Sequence, residues 1–138
     1  MTAHLLQKDL FSKRWRKVKR REPLEHQIQI ALLEHLRYRV RPGVSYWHIP
    51  NGEELVGGAR TGAKLKAMGV LPGVADLQFI WAGPSVLFLE LKARGRKLRA
   101  EQQVFRDRMV GVDCHYEMAD NIDDALNILD RYGLLRKR

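Results

Sequence analysis

The stretch from Asp76 to Lys92 constrains the fold of this chain more than any other. Asp76 opens the run Leu77-Gln78-Phe79-Ile80-Trp81, Ala82-Gly83-Pro84-Ser85 turns the chain, and Val86-Leu87-Phe88-Leu89 continues directly into Glu90-Leu91-Lys92. Two short apolar runs joined by a Gly-Pro turn specify an antiparallel hairpin. The strand period of two then sends Val86, Phe88, Glu90 and Lys92 to one face and Leu87, Leu89 and Leu91 to the other. Antiparallel pairing sets Asp76 opposite the Glu90 to Lys92 end.

A carboxylate and an ammonium at the inner end of so apolar a strand are costly without a partner such as a metal ion, a phosphate or one another. Mg²⁺ takes octahedral oxygen coordination at about 2.0–2.1 Å and uses only one or two carboxylates, leaving other positions to water and phosphate. Asp76 and Glu90 fit that requirement, the backbone carbonyl of Leu91 offers a third oxygen, and the Lys92 ammonium is placed to orient or deprotonate a water and to offset phosphate charge. Metal-dependent phosphodiester hydrolysis asks for this combination. The other reading of the same residues is an ordinary ion pair at the edge of a sheet.

Flanking segments add context. Gly69-Val70-Leu71-Pro72-Gly73-Val74-Ala75 is a loop that fixes chain direction just before Asp76. Glu25 and Gln29 stand one helical turn apart in the periodic stretch Leu24 to Val40, whose apolar stripe is Leu24, Ile28, Leu32 and Leu36 and which Pro23 can begin. Leu98 to Gln103 starts another helical pattern. The ordered set Glu25-x-x-x-Gln29, His48-x-Pro50-Asn51-Gly52, Gly69-x-x-Pro72-Gly73-x-x-Asp76-Leu77, Glu90-x-Lys92 and Gln102 resembles the VRR-NUC domain, a branch of the PD-(D/E)XK nuclease superfamily, over residues 22 to 133. The resemblance implies a restriction-endonuclease-like core and a Mg²⁺- or Mn²⁺-dependent endonuclease. It puts Asp76, Glu90 and Lys92 at the catalytic positions, Glu25 at that of a helical acid serving catalysis and the metal, and Gln102 at that of the glutamine after the lysine. Stand-alone, often phage-borne members resemble homodimeric resolvases of branched DNA such as Holliday junctions. Two departures are visible: Ala75 rather than proline precedes Asp76, and the segment from Glu53 to Gly58 lengthens the loop before Arg60 and makes it more acidic.

Charge distribution points to the same partner. The formal net charge is +9 from 25 Lys and Arg against 16 Asp and Glu, but residues 13 to 21 alone hold seven basic residues and no acid, and Arg136-Lys137-Arg138 adds three more. The chain between these ends is close to neutral. A basic arm over 1–22, with Arg14, Arg16 and Lys17, followed by a nuclease-like domain over 23–138, is therefore expected, the arm adding sequence-independent affinity for DNA by counterion release. Trp15 either stacks on an exposed base or anchors the arm on the domain. Arg94, Arg96, Lys97 and Arg99 follow Lys92 as a candidate phosphate clamp. Arg60, Lys64 and Lys66 form a candidate flank on a short helix that Thr61 is expected to cap. For each of these the plainer reading is a solvated surface. His48 ends the alternating run Tyr46 to Ile49, and with Asn51 is a candidate for substrate contact, the other reading being a hydrogen-bonded structural histidine.

Several classes are excluded or disfavoured. Cys114 is the only cysteine, so an intramolecular disulfide and a cysteine-based zinc site are impossible; it is expected as a buried residue in a strand. No signal-peptide pattern, bilayer-length apolar run or small-molecule cofactor motif is present, so a cytoplasmic protein without membrane attachment is expected. The coarse order is helix 24–40, strand 44–49, loop with a short helix 50–73, hairpin 75–92, helix 100–111, strand 113–118 and closing helix 121–133, an α/β fold with a small mixed central sheet flanked by helices. The last helix, with Ile122, Ala125, Leu126, Leu129 and Tyr132, reads as core or dimer surface. The alternative to an active enzyme is a catalytically silent nucleic-acid-binding protein on a nuclease fold.

Overall fold

The computed structural model describes residues 24–50 and 59–137, with only the backbone of Ala59 and Arg60. Alternating apolar residues and glycine-bearing turns produce the expected order: α1 (Glu25–Arg39), β1 (Ser45–His48), α2 (Ala59–Ala67), β2 (Leu77–Trp81), β3 (Ser85–Leu91), α3 (Ala100–Val110), β4 (His115–Ala119) and α4 (Ile122–Arg131). The strands form one mixed sheet in the order β1-β2-β3-β4. β1 and β2, and β2 and β3, pair antiparallel. β4 returns parallel to β3 after the α3 crossover.

Leu77 pairs with Leu89, so the hairpin register carries Asp76 to the Glu90 end of β3 as the alternation requires. Leu87, Leu89 and Leu91 face α1 and α4, where they bury Ile28, Leu32, Leu36, Ala125 and Leu129 in the larger core. Val86 and Phe88 face α3 and pack with Phe105. The ring of Phe88 meets that of Phe105 edge-on, with centroids 5.0 Å apart. α4 thus contributes to the core, with Ile122, Leu126 and Tyr132 packed against it.

Four details differ from the sequence expectation. Leu24 is not part of the α1 stripe; it is the N-cap, 56% exposed, and its N–H donates to the Gln27 side chain at 3.1 Å. Thr61 does not cap α2, because the helix already begins at Ala59. Cys114 lies just before β4 and is only partly buried, against the smaller core. Tyr132 caps the C-terminus of α4 rather than lying within it. Among the described residues no helix is long and apolar enough to cross a membrane.

Candidate active site

Asp76 is held from both neighbouring strands. Its carbonyl accepts the Ile49 N–H and His48 Nδ1–H, each at 2.8 Å, and its carboxylate accepts the Leu91 N–H at 2.8 Å. The His48 contact fixes the proton on Nδ1 and makes the ring a brace for the backbone of Asp76. β3 ends in the sheet interior, and the Lys92 N–H donates to the Ala119 carbonyl on β4 at 2.9 Å. Glu90 and Lys92 are consequently buried, with only 1% and 5% of their surfaces exposed.

The Lys92 ammonium stands 2.9 Å from Glu90 Oε1 and 3.9 Å from Glu25 Oε1. Gln102 Nε2 donates to the same Glu90 oxygen at 2.5 Å. The other end of the Gln102 amide accepts the Arg99 N–H at 2.9 Å, completing the N-terminal turn of α3 and fixing which way the amide points. Glu25, in the first turn of α1, accepts the Ala93 N–H at 3.2 Å and so overhangs the end of β3. Gly73 lets the loop before Asp76 lie on the start of α3: its φ is +81°, and a Cβ there would meet the backbone of Glu101 and Gln102.

Burial is the main cause of the high proton affinity of both acids. Desolvation raises Glu90 from 4.5 to about 7, and the Asp76 charge adds to the rise while the Lys92 hydrogen bond and charge oppose it. Asp76 is raised by burial as well, against the lowering effect of the Leu91 N–H. The Asp76 charge raises Glu90 and the Glu25 charge raises Asp76 and Glu90 alike, so three carboxylates beside the Lys92 ammonium form a site short of positive charge.

Glu90 Oε2 is buried with no hydrogen-bond partner. A self-contained ion pair would leave no such orphan, since a buried carboxylate oxygen without a partner is expensive. A hard divalent cation suits this oxygen and the Asp76 carboxylate. Among the described residues no three His, Cys, Asp or Glu side chains converge closely enough to hold an ion, so Asp76 and Glu90 are the acidic pair and Glu25 stands beside Lys92.

An open cleft of about 540 Å³ lies over the pair, with Glu25, Gln29, Asp76, Glu90, Lys92 and Gln102 on its floor and walls. Arg96, Lys97 and Arg99 complete its rim. Arg94 is exposed on the same loop, and Lys64 is exposed on α2. Leu91 is buried in the larger core, with its backbone at the base of the site. Asn51, Arg14, Arg16 and Lys17 lie outside the described residues, as does the side chain of Arg60. Two residues given no role from sequence belong to this neighbourhood: His26 lines the cleft, and Tyr116 on β4 feels the charges of Glu90 and Asp76. Its place three residues before Gln29, one helical turn, was the available signal for His26; for Tyr116 there was only strand alternation.

No protein-family model matches the sequence, and no curated protein matches it. Among solved structures, a VRR_NUC domain protein superposes with a TM-score of 0.64 over 80% of this chain and 88% of that chain. The fold is that of a VRR-NUC domain protein. At 18% sequence identity the likeness is one of backbone architecture. The shared architecture is the mixed four-stranded sheet flanked by helices.

Proposed function

We propose that this chain is a Mg²⁺- or Mn²⁺-dependent endonuclease that hydrolyses phosphodiester bonds in DNA. The observation that carries the reading is the unpartnered, buried Oε2 of Glu90 beside Asp76 and Lys92 at the floor of a basic-rimmed cleft. Asp76 and Glu90 would hold the ion, with the Leu91 carbonyl as a further oxygen donor, while Glu25 stays beside Lys92 and the Ala93 N–H. The ion supplies Lewis-acid polarisation of the phosphate and a more acidic water.

The remaining work belongs to the side chains. Lys92, anchored on Glu90, holds a positive charge where negative charge develops on the phosphate and is placed to orient the attacking water by donating a hydrogen bond to its oxygen. Gln102 holds Glu90 from the other side through α3. Arg96 and Lys97 bind backbone phosphates along the rim, with Arg94, Lys64, Arg60, Asn51 and His48 as further contacts and the basic arm as an outer clamp.

The resemblance to resolvases favours branched DNA as substrate and a homodimer as the working form, since paired cuts across a junction need two active sites. The test is cleavage of a labelled panel: four-way junction, flap, fork, single strand and linear duplex, each with Mg²⁺ or Mn²⁺ and beside Lys92→Ala. Metal-dependent cutting that Lys92→Ala abolishes, with the four-way junction preferred, supports the reading. DNA bound tightly but left intact with either ion overturns it in favour of a silent binding protein.

A further inference from the structure

Tyr116 occupies the second position of β4, where the parallel register sets it beside Phe88. Phe88 and Glu90 lie on the same face of β3, so Tyr116 stands diagonally next to Glu90 beneath the cleft. Its ring packs against Phe105, with centroids 6.3 Å apart and planes at 62°. Its hydroxyl is buried and, like Glu90 Oε2, has no hydrogen-bond partner; among the described residues these are the two such side-chain atoms.

The coincidence is informative because one atom is a donor and the other an acceptor. Burial, reinforced by the charges of Glu90 and Asp76 and opposed by that of Arg106, pushes the phenol far above its usual range, so the hydroxyl keeps its proton. Paired donors and acceptors are the rule for buried polar atoms, and two orphans left on one sheet face require an explanation. Because they do not bond directly, a link between them needs a bridging water, to which the hydroxyl can donate and from which the carboxylate oxygen can accept.

We infer that Tyr116 is a positioning residue for Glu90, its hydroxyl donating through one bridging water to Oε2 and holding that carboxylate oxygen in place. The inference rests on the metal-dependent reading above and deepens it. Supporting groups of this kind typically contribute a factor of about 10–100 in metal affinity.

The test compares wild type, Tyr116→Phe and Phe105→Leu by Mn²⁺ titration of thermal unfolding in the full chain. Tyr116→Phe keeps the ring and removes only the hydroxyl, whereas Phe105→Leu disturbs the packing and leaves the hydroxyl. The expected result is a Mn²⁺ midpoint raised about tenfold in Tyr116→Phe and unchanged in Phe105→Leu despite a lower metal-free Tm. A Mn²⁺ midpoint in Tyr116→Phe equal to that of wild type overturns the inference alone, as does an equal rise in both variants. A wild type whose Tm does not respond to Mn²⁺ overturns the metal reading, and the inference with it.

Discussion

Gln102 and Glu90 are joined by a hydrogen bond of 2.5 Å that ties the start of α3 to the end of β3. Because the Gln102 carbonyl is committed to the Arg99 N–H, its amide nitrogen has one orientation, toward the carboxylate. Gln102→Ala should destabilise the protein by about 1.5–3 kcal/mol, the range for a hydrogen bond to a charged group. It should also weaken metal affinity about 10–100-fold. Urea denaturation and Mn²⁺ titration measure the two effects, and Gln102→Glu, which sets a third carboxylate against Asp76 and Glu90, should be the more damaging change.

Glu90 makes metal-free stability depend on pH. Below pH 4.5 the carboxyl is protonated folded and unfolded alike; between 4.5 and about 7 the unfolded chain ionises while the folded protein retains its proton. The folded state then binds more protons, so stability falls as pH rises through that window, by about 3 kcal/mol in all. The upward shift of Asp76 acts with the same sign. Melting temperatures of wild type and Glu90→Gln should therefore diverge from about pH 5 to about pH 8, the wild type losing more. Mn²⁺ should raise the wild-type Tm much more at the higher pH, where it no longer competes with a proton.

Two glycines should respond with opposite sign to the same substitution. At Gly73 an added Cβ runs into the backbone of Glu101 and Gln102, so Gly73→Ala should cost about 1–3 kcal/mol and lower activity by shifting the loop before Asp76. At Gly62, inside α2 with open space around it, Gly62→Ala should stabilise by about 0.5–1 kcal/mol. Thermal unfolding of the two variants checks both.

Lys92 has a structural and a chemical share. Removing one partner of a buried ion pair costs about 3–5 kcal/mol when the other stays charged. Proton uptake by Glu90 should soften that loss in Lys92→Ala, most at low pH. Cleavage should fall by about 10²–10³, the usual loss on removing a preorganised donor that stabilises developing charge, and low pH should not restore it. Rates and Tm measured across pH separate the two shares.

The basic arm should set affinity and salt dependence without touching metal binding. Deleting residues 1–22 should weaken DNA binding at low salt and flatten the log-log salt slope by about 0.9 for each phosphate that the arm neutralises. The Mn²⁺ midpoint should not move. Fluorescence anisotropy over a salt series, with Mn²⁺ titration alongside, measures this.

The hairpin and its register were legible because a glycine-bearing turn and strict alternation leave one way to bury Leu87, Leu89 and Leu91. Asp76, Glu90 and Lys92 therefore came together as expected, and Glu25 reached them because it sits beside the Ile28, Leu32 and Leu36 stripe. Leu24 was misplaced because an apolar residue continuing a helical period cannot be told from an exposed N-cap without knowing where the first turn starts. Cys114 was misplaced by the usual one- or two-residue uncertainty of a strand boundary. Tyr116 was invisible for a different reason: its neighbour is set by a parallel pairing across the α3 crossover, and local sequence does not encode that register.

In the proposed mechanism, Asp76 and Glu90 together hold the divalent ion on which DNA cleavage depends. The most direct measurement is calorimetric Mn²⁺ titration of wild type and Asp76→Asn, with four-way-junction cleavage by both proteins in the same buffer. The expected result is saturable binding and cleavage by wild type, and loss of both in an Asp76→Asn variant that remains folded and still binds DNA. Undiminished Mn²⁺ binding and cutting by folded Asp76→Asn would remove Asp76 from the metal site and overturn the mechanism.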